Sequence, residues 1–224
     1  MTGDEVQNIL ENAGVFWIYQ GEPRPEAPHA LLTSGKHSNG YVNVGEVLKA
    51  YPIIRKKFAE ALLSTLPPLW EGVFNWVVGS DTSATDLAED VAKLAGVGHI
   101  KMVKDKEAKK QIWHPDNKRI REGDTVLHVE ELITVGGSSH LVREGIRIAN
   151  DDMVEMVRFA PFLPVIVDRS SPGDRVVFVE RSRVLPLLQL SIENYEPDLC
   201  PYCKAGSEAI KPKFGDNWSR LTGS

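Results

Sequence analysis

Apolar residues at Val6, Ile9, Leu10 and Ala13 recur three and four positions apart. That spacing predicts a helix over residues 4–13, with Asp4 as its N-cap and Gly14 as its stop. Gly21, Pro23, Pro25 and Pro28 then predict a loop over residues 20–30. Pro52 suits the first turn of a second helix, whose apolar face carries Ile53, Ile54, Phe58, Ala61 and Leu62 and which ends before Pro67 and Pro68. From there the period alternates. Short apolar runs at 76–78, 100–103, 125–129, 164–167 and 176–179 predict buried strands. Helical spacing predicts helices over 85–94, with Leu87, Val91 and Leu94 inward and Gly96 as cap, and over 138–148. Strands alternating with helices imply an α/β fold with a central parallel sheet, in which ligands gather at the carboxyl ends of the strands.

Composition adds limits. The 224 residues suit one domain with a sizeable core, and 42% hydrophobic and 25% charged residues are ordinary for a globular protein. A net charge of −5 argues against a general nucleic-acid binder. No apolar run approaches the ~20 residues of a membrane span. The acidic start Met1-Thr2-Gly3-Asp4-Glu5 lacks the features of a signal peptide, and with two cysteines the expectation is a cytoplasmic protein.

The chemistry concentrates after the strand at 125–129. Two carboxylates, Glu130 and Glu131, are followed by Leu132-Ile133, a turn of small residues from Thr134 through Val135, Gly136, Gly137, Ser138 and Ser139, and a helix. Such a turn offers free backbone N–H groups at the positive end of a helix dipole, and glycine lets an anion approach closely. The arrangement suits a phosphate monoester. The acids suit the vicinal hydroxyls of a ribose, or positive charge developing on a sugar ring. A glycine turn alone fits an N-capped helix behind an acidic loop equally well; the full order favours a ligand. No Gly-Lys-Ser/Thr occurs, which excludes the lysine-bearing phosphate loop of nucleotide hydrolases.

Residues 101–121 carry Lys101, Lys104, Lys106, Lys109, Lys110, Lys118, Arg119 and Arg121. Few apolar residues interrupt them, which predicts a mobile cationic excursion between strands. It is either a solvated charged loop or a lid over pyrophosphate.

The order from Glu130 to Ser138 resembles the ribose-phosphate motif of type I phosphoribosyltransferases, with Glu131 where that family usually has Asp. Lys106-Glu107-Ala108-Lys109 resembles the lysine loop of orotate phosphoribosyltransferases, with Asp105 in place of its leading Arg and Gln111 near the place of its usual His. Leu32 through Asn43, the strand ending in Asp168-Arg169, and the Cys200-Pro-Tyr-Cys203 tail resemble further segments of that group, and Gly79 through Thr85 occupies the place of its glycine-rich loop. The resemblance implies a type I phosphoribosyltransferase fold in a single domain over residues 1–224. Its core would be about 46–180, with about 1–45 and 180–224 forming a small hood and tail. It implies transfer of a phosphoribosyl group from phosphoribosyl pyrophosphate to orotate, with Mg2+, in pyrimidine nucleotide biosynthesis. Lys106, Lys109, Glu130 and Glu131 would be catalytic. Glu130, Glu131, Thr134, Val135, Gly136, Gly137 and Ser138 would bind the ribose phosphate. Lys36, Ser80, Asp81, Thr82, Lys106, Lys109 and Lys110 would bind pyrophosphate, and Tyr41, Thr134 and Arg169 the base. It also implies a homodimer whose lysine loop crosses the interface. Departures at Asp81, Ser83, Asp105 and Glu131 leave two alternatives: a weak or inactive binder that senses phosphoribosyl pyrophosphate or a nucleotide, and transfer to another nucleobase.

Cys200 and Cys203 admit three roles: half of a zinc site, a redox pair, or an incidental feature. The chain has no second CxxC, so a zinc site would need histidines or a second subunit.

Overall fold

The computed structural model describes residues 1–70, 72–152, 156–170 and 176–223. The first helix, α1 (Gly3–Asn12), is capped by Thr2 rather than Asp4. The Thr2 hydroxyl accepts from Glu5 N, and the Glu5 carboxylate accepts from Thr2 N at 2.7 Å. This reciprocal box satisfies two end donors and leaves Asp4 in the first turn, where it complements the dipole.

Four short strands follow, β1 (Phe16–Ile18), β2 (His29–Leu31), β3 (His37–Ser38) and β4 (Gly40–Val42). Then come α2 (Val44–Ala50), capped by Asn43, and α3 (Pro52–Ser64), which opens on its proline as expected. The alternating region comprises β5 (Trp76–Val78), α4 (Thr85–Ala95), β6 (Gly98–Ile100), β7 (Met102–Asp105), β8 (Lys110–Trp113), β9 (Thr125–His128), β10 (Glu130–Ile133), α5 (Gly137–Ala149), β11 (Arg158–Phe159) and β12 (Phe162–Asp168). The last elements are β13 (Phe178–Val179), β14 (Ser182–Gln189), β15 (Asn194–Tyr195), α6 (Pro201–Lys204), β16 (Ala209–Ile210) and α7 (Asn217–Thr222).

Two four-stranded sheets, ordered β11-β9-β5-β6 and β10-β12-β14-β13, form the centre. The chain passes from the first to the second twice, through Val129 between β9 and β10 and through Ala160-Pro161 between β11 and β12. All pairings are parallel except that of β13 with β14. The run at 176–179 is therefore a two-residue antiparallel edge strand, not another parallel one. Phe58, Leu62, Leu87 and Val91 bury one face of the sheet against Val77, Leu127 and Ile166. Val142 and Ile146 of α5 bury the other against Val78, Ile100 and Val126. Ile53 and Leu94, expected inward, are exposed; each sits in a terminal turn of its helix.

The lysine-rich segment, expected as an excursion between two strands, takes the form of a hairpin. Its expected strand at 100–103 breaks at Lys101, and β7 pairs antiparallel with β8. Asp105 Oδ1 accepts from Glu107 N and Ala108 N at 2.9 and 3.0 Å, closing the turn, and Lys109 takes φ 52°. Asp105 and other short acids make such turns through their own backbone neighbours. The hairpin lies on α5 at Gly145, where a Cβ would fall 2.1 Å from the Gln111 carbonyl oxygen.

At the other end, β15-β3-β2-β16 form a small sheet, with the β1–β4 ribbon beside it. The two chain ends thus share one element, β16 running parallel to β2. No helix among the described residues is long and apolar enough to cross a membrane.

Candidate active site

The strand β9–β10 carries its two acids into the junction between the sheets. Glu130 is 2% exposed and its carboxylate is fully engaged. Oε2 accepts from the Ser80 hydroxyl at 2.6 Å, and Oε1 from His128 Nε2 at 2.8 Å and the Ser139 hydroxyl at 3.3 Å. Arg143 Nε donates to His128 Nδ1 at 3.4 Å, so the imidazole proton sits on Nε2, facing Glu130. Glu131 differs: its Oε2 is buried without a hydrogen-bond partner. Burial raises the pKa of both carboxyls, and for Glu131 the neighbouring Glu130 charge pushes the same way.

Three residues on, the chain turns into α5. Gly136 is the N-cap at φ 73°, a conformation that favours glycine, and no side chain caps the helix. Val135, Gly137 and Ser138 are exposed and Thr134 is half-buried. The first N–H groups of a thirteen-residue helix therefore face outward, beside the hydroxyls of Thr134 and Ser138.

The base-side residues also converge. Tyr41 on β4 and Arg169 just beyond β12 line one cavity of about 530 Å3, together with Leu32, Thr33 and Ser34. Arg169 N donates to Ile133 O at 3.0 Å, which seats the cavity beside the phosphate turn. The preceding Asp168 is fixed by Ser170 and Gln189. Arg169 Nε and Nη1 are buried and have no partner. Burial holds its pKa below the usual arginine value and raises that of Tyr41. A guanidinium with unsatisfied N–H donors at the wall of a cavity is suited to an anionic ligand group such as a carboxylate.

Among the residues expected to bind pyrophosphate, Ser80 touches Glu130, and the next residue is held by the hairpin. Gln111 Nε2 donates to Asp81 O at 3.0 Å, and Gln111 Oε1 accepts from Asp81 N at 3.2 Å. Asp81 Oδ2 accepts from Lys104 N at 2.9 Å. The Asp81–Thr82 peptide is cis. Lys106, Lys109 and Lys110 stand exposed on the hairpin tip. Lys36 is not brought to this group: its Nζ lies 2.8 Å from Glu196 on the surface.

Several participants escaped the sequence. Lys211, Pro212, Lys213 and Phe214 of the C-terminal segment line the cavity with Tyr41 and Arg169. Only the spacing of two lysines could have suggested it. His128 and Arg143 carry no motif, and the sequence named Ser139 and Gln111 without their partners, Glu130 and Asp81.

A parallel α/β fold in which two carboxylates open a strand that leads into an open helix N-terminus is the architecture of a type I phosphoribosyltransferase. No family model matches the chain. Among curated relatives, orotate phosphoribosyltransferase of Desulforamulus reducens is 33% identical over 82% of this chain and 87% of its own length. That of Caldicellulosiruptor bescii is 35% identical over the same shares, 82% and 87%. Among solved structures, orotate phosphoribosyltransferase from Aeropyrum pernix has the same fold, with a TM-score of 0.56 at 15% identity over 82% of this chain and 93% of that one. The chain belongs to the orotate phosphoribosyltransferase family.

Proposed function

We propose that this protein transfers the phosphoribosyl group of phosphoribosyl pyrophosphate to orotate, giving orotidine 5′-phosphate and pyrophosphate. The observation that carries this is Arg169, a buried guanidinium short of partners at Nε and Nη1, at the wall of a cavity adjoining the uncapped N-terminus of α5. The donor's 5′-phosphate takes the N–H groups of α5 and the hydroxyls of Thr134 and Ser138. Orotate lies against Tyr41, with its carboxylate on Arg169.

In the reaction the bond from ribose C1 to the pyrophosphate oxygen breaks and a bond from C1 to the base nitrogen forms. The transition state is oxocarbenium-like, and nearby carboxylate favours its positive charge. Glu131, which keeps one carboxyl oxygen unpartnered, would be the acid that meets the ribose hydroxyls, because the Glu130 carboxylate is engaged by Ser80, His128 and Ser139. Lys106, Lys109 and Lys110 stabilise the leaving pyrophosphate. An unpartnered carboxylate oxygen is the donor type Mg2+ takes, so Glu131 fits as a residue approaching that ion. Mg2+ supplies charge neutralisation of the diphosphate.

A homodimer in which the hairpin reaches the partner's site accords with its exposed cross-strand pair, Val103 and Ile112, an apolar spot on an otherwise charged element. A cytoplasmic setting suits an enzyme of pyrimidine nucleotide synthesis. The test is an assay of the full chain with orotate, phosphoribosyl pyrophosphate and Mg2+, following orotidine 5′-phosphate by chromatography. Binding of the donor without turnover of orotate would overturn the proposal. Turnover of another nucleobase in preference to orotate would reassign the acceptor.

A further inference from the structure

One cluster lies in the hood and plays no part in the chemistry above. His29 on β2, His37 on β3, and Cys200 and Cys203 flanking the first turn of α6 bring four potential metal-ligand atoms within 4.8 Å of one another. His29 Nε2 and His37 Nδ1 are 3.1 Å apart. Cys203 Sγ lies 3.2 Å from His37 Nδ1 and 3.6 Å from His29 Nε2, and Cys200 Sγ lies 3.5 Å from His29 Nε2. A tetrahedral zinc ion with Zn–N of ~2.05 Å and Zn–S of ~2.3 Å separates its ligand atoms by about 3.3 to 3.8 Å. These four edges are close to those of such a tetrahedron, and the remaining two lie within 4.8 Å. Both cysteines are free thiols.

The hydrogen bonds around His29 make an independent case. The Ser207 hydroxyl donates to Ala27 O at 2.7 Å, which uses its one proton. It therefore accepts from His29 Nδ1, 2.8 Å away. That bond puts the imidazole proton on Nδ1 and leaves the Nε2 lone pair aimed into the cluster. A metal-bound histidine is oriented in this way by an outer partner of its other nitrogen. Tyr202 stacks on the same ring at 5.3 Å between centroids and 27° between planes. His29 and Cys200 are fully buried and His37 nearly so.

We propose that His29 Nε2, His37 Nδ1 and the thiolates of Cys200 and Cys203 bind one structural zinc ion per chain. All four positions of the ion are filled by protein, so it performs no catalysis. Its work is to fasten the C-terminal segment to β2 and β3, segments more than 160 residues apart in sequence. The segment so fastened leads directly into residues 211–214, which line the base cavity.

Elemental analysis of the full chain, prepared without a histidine tag or chelator, gives about one zinc per chain. His140→Ala, at an exposed histidine outside the cluster, keeps it; Cys203→Ser and His37→Ala lose it. For a readout that does not depend on variants folding, the wild-type protein is stripped under reducing conditions and titrated with Co2+. One equivalent gives tetrahedral d–d bands with a thiolate-to-cobalt charge-transfer band, and zinc displaces it. Protein that carries no zinc and takes up no cobalt overturns the proposal, since the four groups would then be a hydrogen-bonded cluster. Full metal content in both Cys203→Ser and His37→Ala overturns it too, as does a Cys200–Cys203 disulfide in freshly prepared protein. None of these measurements involves orotate turnover, so the outcome is independent of the proposed activity.

Discussion

Ser80 and Glu130 stand 50 positions apart in sequence, yet the Ser80 hydroxyl donates to Glu130 Oε2 at 2.6 Å. The contact joins the turn after β5 to the strand that carries the paired acids. Replacing Ser80 by Ala leaves a buried carboxylate short of one donor, which costs about 1–3 kcal/mol of stability. The denaturant midpoint falls accordingly. Because Asp81 and Thr82 follow directly, kcat/KM also falls by roughly tenfold, the equivalent of about 1.4 kcal/mol. An unchanged midpoint would show that the contact contributes nothing.

Glu131 gives a pH-dependent prediction. Burial and the Glu130 charge raise its pKa, so between the ordinary carboxylate value and the raised one the folded chain holds a proton that the unfolded chain has released. Stability from this group is fully present below the unfolded value of about 4.3 and is lost as pH rises toward neutrality and above. Buried histidines, whose pKa values are lowered, act in the opposite sense in acid, so the comparison must be with a variant. The stability of the wild type relative to Glu131→Gln falls between pH 5 and pH 8, with a slope of at most about 1.4 kcal/mol per pH step of one, the limit for a single proton. Parallel stability curves for the two proteins would refute it.

Arg169 sets stability against binding. Its Nε and Nη1 are buried and unpartnered, a cost that a carboxylate ligand removes. Arg169→Met keeps the volume and drops the charge. Thermal stability without ligand holds or rises, whereas kcat/KM for orotate falls by roughly 10- to 100-fold, about 1.5–3 kcal/mol of charged hydrogen bonding. A destabilised variant with normal orotate kinetics would assign the residue to the scaffold.

Lys109 separates the same two quantities on the hairpin. It sits at φ 52°, where a non-glycine residue is strained by about 1 kcal/mol. Lys109→Gly relieves that strain and removes a cation from the tip. Unfolding shifts little or upward, while turnover drops. Added salt weakens the wild type more than the variant.

Gly145 is the seat of the hairpin. A Cβ there meets a backbone oxygen at 2.1 Å, and backbone cannot swing aside. Gly145→Ala lifts β8 from α5 at a cost of about 1–3 kcal/mol. It also disturbs the Gln111 bonds to Asp81, so activity falls with stability.

β5, β9, β12, α4 and α5 of the core were legible because each is held by its own apolar period. β5 falls on its expected bounds, and Gly96 caps α4 in the left-handed conformation expected of it. The phosphate turn was legible because its residues are consecutive. β14, the longest strand, was not: Arg183 and Pro186 interrupt its pattern, and its order comes from pairing with β12. The two- and three-residue strands of the hood carry too few positions to show a period. In the lysine segment the charges hid a hairpin, since of its strand residues only Met102 and Gln111 are fully buried. The role of Glu130 was half visible. Its place at the end of the strand could be read, but the four groups that engage or orient it, Ser80, His128, Ser139 and Arg143, are assembled only by the fold.

The cavity that holds Tyr41 and Arg169 takes part of its wall from Lys211, Pro212, Lys213 and Phe214. During synthesis the phosphate turn leaves the ribosome some seventy residues before that wall does. On the proposed reading, the turn that takes the sugar phosphate is therefore made before part of the wall that takes the base, and the cavity can close only once residues 211–214 have emerged.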